Sequence, residues 1–272
     1  METPRVRPAA VAGTFYPASP SELDALIDEF IVPDVSVEAI GAIVPHAGLV
    51  YSGACAGKVF SKVAVPSSCI VLAPNHTGMG DTVIAGSWAD GAFEIPTGEV
   101  DIDQVLVSRL AAATPLVGED AAAHTHEHAV EVILPFLRRL NPDVKIVPLV
   151  LPWDDWETCA ELGHVIASIC AELEERPLLI ASSDMNHYES ADVALVKDTA
   201  ALESVTRLDG RQLLETCRTH RVTMCGRAPA ATVIAACHEL GATSAVVADY
   251  RHSGFVTGDT DRVVSYAGVI IA

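Results

Sequence analysis

The chain has 272 residues, half of them hydrophobic, so it is long enough to bury a substantial core. No apolar run reaches the roughly 18 residues that a membrane helix needs, and the formal net charge of −19 excludes a surface made for nucleic acid or an anionic membrane. The N-terminus lacks the apolar segment of a secretory signal, and the seven cysteines are an odd number without a CxxC pair. We therefore expect a cytoplasmic protein with reduced thiols.

Short apolar runs rich in β-forming residues alternate along the chain with longer helical patterns. The runs predict strands at 39–45, 68–74, 81–87, 144–152, 177–182, 243–250 and 262–271. The helical patterns cover 20–30, 53–63, 101–112, 126–140, 156–175, 190–220 and 226–241. Ser19, Asp101 and Ser190 are the expected N-caps of three of these helices. This alternation predicts an α/β fold with a largely parallel, buried sheet, and the lack of a linker or repeat favours one domain over 1–272.

Polar side chains follow three of the predicted strands, directly at the point where each strand ends. His46 follows the first strand, His76 follows the second, and Asp184 and His187 follow the strand at 177–182. Ligands of open α/β sheets bind beyond the carboxyl ends of strands, so these side chains are expected to converge on one site. A single histidine after a strand is usually a loop residue with a hydrogen-bonding role. Three in the same setting favour a metal site or an acid–base site.

The segment HTHEHAVEVILPF at 124–136 holds three alternating histidines, His124, His126 and His128. Its spacing is not HExxH, so the zinc-protease interpretation fails. Glu127 and His128 either line the pocket or form an ordinary helix N-terminus, where an acidic residue is favourable to the helix dipole. His124 and His126 are weaker candidates.

Cys225 precedes Gly226 and a helical pattern with Pro229 in its first turn. A thiol near a helix N-terminus has a lowered pKa, which makes the thiolate available as a metal ligand or nucleophile. The alternative interpretation is a small buried hydrophobic residue.

Several motifs together resemble the Memo family, whose prokaryotic members are usually called AmmeMemoRadiSam system protein B. They are AGTFYP (12–17), PHAGLVYSG (45–53), PNHTG (74–78), EHAVEVILPF (127–136), SSDMNHY (182–188), MCGRAP (224–229) and VSYAG (264–268). The resemblance covers nearly the whole chain and implies a single-domain α/β/α sandwich similar to LigB-type extradiol dioxygenases. Some members carry tryptophan where this chain has Phe15.

By motif, the resemblance assigns a metal site to His46, His76 and Cys225, at the place of the dioxygenases' two-histidine, one-carboxylate iron site. It matches Asp184 and His187 to the family's SSDxxH pair, with His187 at the position of an acid–base histidine. Tyr16 and Tyr51, in the first two motifs, are further candidates to line the pocket. Genome associations of the family imply two partners, an AMMECR-type protein and a radical SAM enzyme.

Two imidazoles and one anionic ligand suit Fe(II) and O₂ chemistry, and the softer thiolate makes copper or zinc credible competitors. The first hypothesis is therefore a metal-dependent oxidoreductase of the dioxygenase type acting on a small molecule. The second is a metal-free or zinc-dependent hydrolase that uses Cys225 as nucleophile with His187 and Asp184. The third is a binding or scaffold protein that keeps the pocket without its chemistry.

Overall fold

The computed structural model describes residues 5–32, 34 and 37–272. The strands are β1 (Val6–Arg7), β2 (Gly41–Val44), β3 (Ser68–Pro74), β4 (Ala85–Ser87), β5 (Ala92–Ile95), β6 (Gly98–Ile102), β7 (Val117–Glu119), β8 (Lys145–Leu151), β9 (Leu178–Ser182), β10 (His187–Glu189), β11 (Ala245–His252) and β12 (Val263–Ile271). The helices are α1 (Pro20–Phe30), α2 (Leu49–Phe60), α3 (Gln104–Ala113), α4 (Ala121–Thr125), α5 (Leu134–Leu140), α6 (Trp156–Ala171), α7 (Ala191–Thr206), α8 (Gly210–Thr219), α9 (Arg227–Glu239) and α10 (Gly254–Thr257), with a 3₁₀ turn at Glu131–Ile133 before α5. None of the helices within these described ranges has the length and apolar character to cross a bilayer.

Four parallel strands form the centre of the sheet in the order β8, β3, β9 and β2. They are almost entirely buried, because their sequences are continuous apolar runs with side chains that pack on both faces. Helix α9 packs against β2, β3 and β9, while α2 packs against β11 and β12. Parallel neighbours end at the same edge of a sheet, so the segments after β2, β3 and β9 are brought together.

The outer parts of the sheet contain antiparallel pairs, so the sheet as a whole is mixed. Strand β12 pairs antiparallel with β2, β10 and β11, and β5 pairs antiparallel with β6. The result is a large central mixed sheet with helices on both sides, in agreement with the predicted α/β class.

Several helix boundaries differ from the sequence predictions. Helix α2 covers 49–60 rather than 53–63, and α6 ends at residue 171 rather than 175. The predicted N-cap Asp101 belongs to β6, and Asp103 caps α3 instead by accepting from the backbone N–H of Leu106. The helix predicted at 190–220 is two helices, α7 and α8, because Leu208 adopts a φ of 56° and Asp209 caps a new helix. The segment before Glu131 is irregular rather than helical.

Candidate metal centre

A cavity of about 710 Å³ lies at the carboxyl ends of β2, β3 and β9. His46 follows β2, His76 follows β3, and Asp184 and His187 follow β9, and all four line this cavity. The wall also includes Phe15, Tyr51, His128, Tyr188, Thr223, Cys225, Ser253, Thr257, Arg262 and Tyr266. The three strand ends singled out in the sequence therefore share one cavity.

Three histidines form the tightest group of potential metal ligands. One ligand nitrogen from each of His46, His76 and His128 lies within 4.8 Å of the other two. The His76 and His128 rings are stacked at a centroid distance of 4.6 Å, and both meet His46 edge-on, at 5.1 and 5.4 Å. His46 is buried, whereas the side chains of His128 and His76 are 20% and 32% exposed. This group can hold a metal ion at the inner end of an accessible cavity.

The hydrogen bonds of Ser182 determine which nitrogen of His46 carries the proton. Ser182 Oγ lies 2.6 Å from His46 Nδ1 and 2.6 Å from the carbonyl oxygen of Ala129. A carbonyl oxygen only accepts, so the single hydroxyl hydrogen points to Ala129 and Nδ1–H of His46 donates to Ser182. Nε2 of His46 is therefore unprotonated, which is the state that metal ligation requires.

Glu127 fixes His76 in the same way. Its Oε2 accepts from the backbone N–H of His76 at 2.6 Å, and its Oε1 accepts from His76 Nδ1 at 2.9 Å. The backbone N–H groups of His128 and Ala129 also donate to Oε1. Because an ionised carboxylate only accepts, His76 is protonated at Nδ1 and Nε2 is left for a metal ion. In metal sites, a ligating histidine commonly donates its other ring N–H to a carboxylate, as His76 does to Glu127.

The electrostatic surroundings keep two of the three imidazoles neutral. Burial lowers the pKa of His46 well below its ordinary value, and the nearby His76 and His128 lower it further. Burial also lowers the pKa of His128. Burial acts in the same direction on His76, but its hydrogen bond to Glu127 and the charge of that carboxylate outweigh it and raise the pKa. For Glu127, burial opposes ionisation, yet the hydrogen bonds and charge of His76 leave its pKa lowered.

Cys225 lies beside His46 and outside the three-histidine group. Its Sγ is 3.3 Å from His46 Nε2 and accepts from the backbone N–H of Asp184 at 3.2 Å. Metal–sulfur and metal–nitrogen bonds of about 2.3 and 2.0 Å place two ligand atoms roughly 3.0–3.5 Å apart for angles from 90° to tetrahedral. The separation of Cys225 and His46 therefore fits two ligands of one ion.

The expected lowering of the Cys225 pKa is wrong for the protein without metal. Cys225 does lie at the N-terminus of α9, but burial raises the pKa of its thiol, and the charge of Asp184 adds to this. Without a metal ion, the side chain is therefore a thiol at neutral pH. A bound ion would reverse this preference, because coordination requires the thiolate.

Asp184 and His187 have different surroundings. Asp184 is buried, and its Oδ1 accepts from the backbone N–H groups of His46 and Ala47 at 2.8 and 3.2 Å. Burial raises its pKa against these hydrogen bonds. His187 Nδ1 lies 3.0 Å from the carbonyl oxygen of Thr223, so Nδ1 carries a hydrogen and Nε2 is the nitrogen with the lone pair in the neutral imidazole. Asp184 thus fixes the segment that carries His46, while His187 offers a free nitrogen.

Two predicted pocket residues lie behind the cavity rather than on its wall. Tyr16 is buried, and its hydroxyl donates to Glu131, which also pairs with Arg7. Glu127 is buried beneath His76, as described above. Tyr51 lines the cavity, and Phe15 packs on His128 with ring centroids 4.7 Å apart.

The other two histidines of the 124–128 segment lie elsewhere. His124 is buried, and its Nε2 bonds the carbonyl oxygen of Gly86, which gives it a structural role. His126 is exposed and is the C-cap residue of α4.

Sequence reasoning missed the residues that orient the histidines. Ser182 is the last residue of β9, where a strand pattern alone gives no sign of a hydrogen bond to His46. Thr223 receives the backbone N–H of His187 on its hydroxyl at 2.7 Å, and Asn186 accepts from both the backbone and the hydroxyl of Thr223. The one available signal was that Ser182 and Asn186 belong to the SSDMNHY motif and that Thr223 directly precedes MCGRAP.

Comparison with known proteins gives a consistent family result. The sequence model described as Memo-like protein matches residues 7–270. A MEMO1 family protein from Aquifex aeolicus is 38% identical over 269 residues, covering 98% of this chain and 99% of the relative. A MEMO1 family protein from Methanocaldococcus jannaschii is 35% identical over 287 residues, with 98% and 99% coverage.

A structural comparison adds a distant similarity of fold. The crystal structure of an uncharacterized protein from Escherichia coli K12 has a TM-score of 0.50 and 15% sequence identity, over 85% of this chain and 99% of that one. At this identity, the similarity concerns the fold alone.

Proposed function

This chain belongs to the Memo-like family, and from that premise we propose that it binds a redox-active metal ion, iron or copper, and acts as an oxidoreductase of the dioxygenase type on a small molecule. Zinc is the redox-inactive alternative for the same ligands. The observation that supports the proposal is the convergence of three imidazoles, two of which have Nδ1 occupied and Nε2 free. The LigB-like relationship is likewise part of this proposal.

His46 and His76 would hold the ion through Nε2. His128 would complete the histidine group as the third ligand. Cys225, which lies at ligand distance from His46, would take the place of His128 or bind as a fourth ligand. When bound, iron or copper supplies the electron transfer that side chains lack. The residues behind the ligands, Ser182 and Glu127, keep the two imidazoles oriented before the ion arrives.

His187 would act as the general base or acid of the reaction. Because Nδ1–H donates to Thr223, Nε2 carries the lone pair of the neutral imidazole and is the nitrogen that would take a proton from a substrate hydroxyl. Asp184 would position the His46 loop through Oδ1 and hold Cys225 through its backbone N–H. The aromatic side chains of Phe15, Tyr51 and Tyr266 would pack against an apolar part of the substrate.

The resemblance also supports proposals about cellular context. We propose that the protein works in the cytoplasm and with an AMMECR-type protein and a radical SAM enzyme. Co-purification of these two proteins with the tagged chain would support the association, and their consistent absence would contradict it.

Metal content of the anaerobically purified protein tests the central proposal. We expect near-stoichiometric iron or copper in the wild type, and loss of most of it in His46→Ala. Cys225→Ser and His128→Ala identify the third ligand, because replacement of a true ligand lowers occupancy. His126→Ala is the matched control, since this histidine is exposed and outside the cavity. A wild type without metal, even after anaerobic reconstitution, would contradict the proposal.

Turnover separates the base from the metal ligands. Iron-loaded protein is expected to consume O₂ with catechol or a related electron-rich aromatic compound. His187→Gln should keep its metal and lose most of this activity, typically by a factor of about 10²–10⁴ for a general base. Equal loss of metal in His187→Gln would show that this residue is a ligand instead.

The structure weighs against the thiol-based hydrolase. A nucleophilic cysteine needs thiolate near neutral pH, whereas burial raises the pKa of Cys225. Iodoacetamide labelling of the metal-free protein should therefore be slow at neutral pH. Rapid labelling of Cys225 at pH 6 to 7 would revive the hydrolase hypothesis.

A further inference from the structure

A second pocket lies on the far side of Cys225 and is lined by three arginines. It has a volume of about 320 Å³, and we refer to it as the arginine pocket. Arg218, Arg221 and Arg227 line it together with Asp154 and with the apolar side chains of Leu214, Val222 and Met224. It shares Thr223 and Cys225 with the large cavity, so the two cavities meet at these residues.

The charge of this pocket is opposite to that of the chain. The protein has a formal net charge of −19, yet three arginines and only one acidic residue line the pocket. Arg227 bonds that carboxylate, with Nε 2.9 Å from Asp154 Oδ2. Within the part of the chain that the structure describes, Arg218 and Arg221 form no ion pair. Two positive charges are thus left over in a concave site, which matches a dianion.

The backbone of Arg221 shows that a side chain is held at this position against its conformational preference. Helix α8 ends in a Schellman motif, in which Val222 N–H donates to the Cys217 carbonyl at 2.9 Å and Arg221 N–H to that of Arg218 at 3.4 Å. Arg221 occupies the left-handed position of this motif with a φ of 53°. Glycine adopts that conformation without strain, whereas an L-residue does not. Leu208 has the same conformation at the end of α7, so what sets Arg221 apart is its place in the lining of the arginine pocket.

A further contact holds the strained turn in place. Lys197 Nζ donates to the carbonyl oxygen of Arg221 at 3.0 Å and also pairs with Glu189. The lysine of α7 therefore anchors the backbone from which the Arg221 side chain projects.

We propose that the arginine pocket binds the phosphate group of a small organic phosphate. Guanidinium groups bind phosphate oxygens in pairs, and Arg218 and Arg221 are free of competing carboxylates. The organic part of the ligand would lie against the pocket wall at Leu214 and Val222, which line the pocket and are almost fully buried. The ligand would lie directly behind Cys225. The proposal does not depend on a metal ion in the large cavity.

Isothermal titration with inorganic phosphate and with phenyl phosphate tests this site, at constant ionic strength set with chloride. We expect binding by the wild type, with phenyl phosphate tighter, and roughly tenfold weaker binding of both probes in Arg221→Gly and in Arg218→Gln. Arg207→Gln should bind like the wild type, because Arg207 is exposed, lies at the end of α7 and does not line the pocket. Unchanged binding in both pocket variants, or none in the wild type, would overturn the proposal.

Thermal unfolding separates loss of binding from loss of folding. Arg221→Gly should unfold at the wild-type temperature or above it in the absence of phosphate, because glycine relieves the left-handed strain. A lower unfolding temperature would overturn the claim that a strained side chain is kept here for binding. Equal affinity for the two probes would overturn the organic ligand and assign the pocket to free phosphate.

The same titrations on metal-stripped protein distinguish this site from the metal centre. Phosphate binding that persists after chelation supports the arginine pocket whatever the metal analysis gives. Phosphate binding that appears only with added metal would overturn it, because the anion would then be bound by the ion.

Discussion

Three protein oxygens of different chemistry orient the histidines of the large cavity. The Ser182 hydroxyl, the Glu127 carboxylate and the Thr223 carbonyl each accept from one Nδ1–H. Nδ1 is therefore the hydrogen-bearing nitrogen of His46, His76 and His187, and Nε2 is the nitrogen of each that a metal ion or a proton would reach. Among the described residues, the acceptor recorded for the ring of His128 is more distant, with Nδ1 3.4 Å from Glu127 Oε1. The first two histidines thus form the preorganised part of the metal site, and His128 is the adaptable part.

Glu127→Gln tests how much metal affinity depends on Glu127, which hydrogen-bonds the ring of the proposed ligand His76. The amide keeps the shape of the side chain but lacks the charge and can place an N–H against a donor of the backbone or of His76. We expect the fold to persist and zinc affinity to fall by about 10–100-fold, as for other residues behind metal ligands. Competition titration with a chromophoric chelator measures the change. Glu94→Gln, an exposed residue of β5, is the control, and an unchanged affinity in Glu127→Gln would contradict the role.

At the scale of elements, the long apolar strands were predictable and the short ones were not. Strands β3, β8 and β9 were located to within a residue or two, because continuous apolar runs are typical of buried parallel strands. Strands β5 and β6 alternate buried and exposed residues over four or five positions, which is too short for a clear period. Strand β10 has no apolar run, since it is His187–Glu189.

The same limit explains which site residues were predictable. His46 and His76 come directly after strong strand patterns, so their convergence followed from the parallel sheet. His128 lies in a segment that was assigned to a helix but is irregular. Its approach to the other histidines depends on Glu127, which bonds the backbone of His128 and Ala129 and also bonds His76, 51 residues earlier in the chain. Such a contact between distant segments leaves no period in the sequence.

Gly226→Ala tests the close approach between α9 and β9. A Cβ at this position would lie 2.2 Å from the carbonyl oxygen of Ser182 and 2.5 Å from Ser183 Cβ, so the helix N-terminus must move away. We expect a loss of about 1–3 kcal/mol in the free energy of unfolding, measured by urea denaturation, and a reduced metal content if Cys225 is a ligand.

Gly48→Ala is the matched control for this substitution. Gly48 is also an N-cap glycine at the site, but its nearest Cβ contact would be an ordinary 3.5 Å from the Phe15 carbonyl oxygen. The expected loss is below about 1 kcal/mol. Equal losses of unfolding free energy in the two variants would show that the close approach to Ser182 and Ser183 is not the reason for glycine at position 226.

At the scale of the whole molecule, one buried carboxylate joins segments that are distant in sequence. Asp198 of α7 accepts from Tyr250 of β11, from Ser265 of β12 and from the backbone N–H of Asn186. Asn186 in turn accepts from Thr223, which holds His187. The acid–base histidine is thus connected through hydrogen bonds to the packing of α7 against the sheet. The stability of the fold and the position of His187 therefore depend on the same buried group.

Asp198→Asn tests the protonation of this group through the stability of the whole molecule. Burial raises the pKa of Asp198 against the hydrogen bonds from Ser265 and Tyr250, so the folded protein holds the proton more tightly than the unfolded chain. Its contribution to stability is therefore fully present below the unfolded pKa of about 4 and is lost as pH rises through the higher folded pKa.

The asparagine of the variant cannot titrate, so it serves as the reference. We expect the unfolding free energy of the wild type, relative to the variant, to fall between about pH 4 and the folded pKa and then to level off. Urea denaturation of both proteins from pH 4 to 8 measures this difference, and a difference that rises with pH would show that the carboxylate is stabilised in its ionised form.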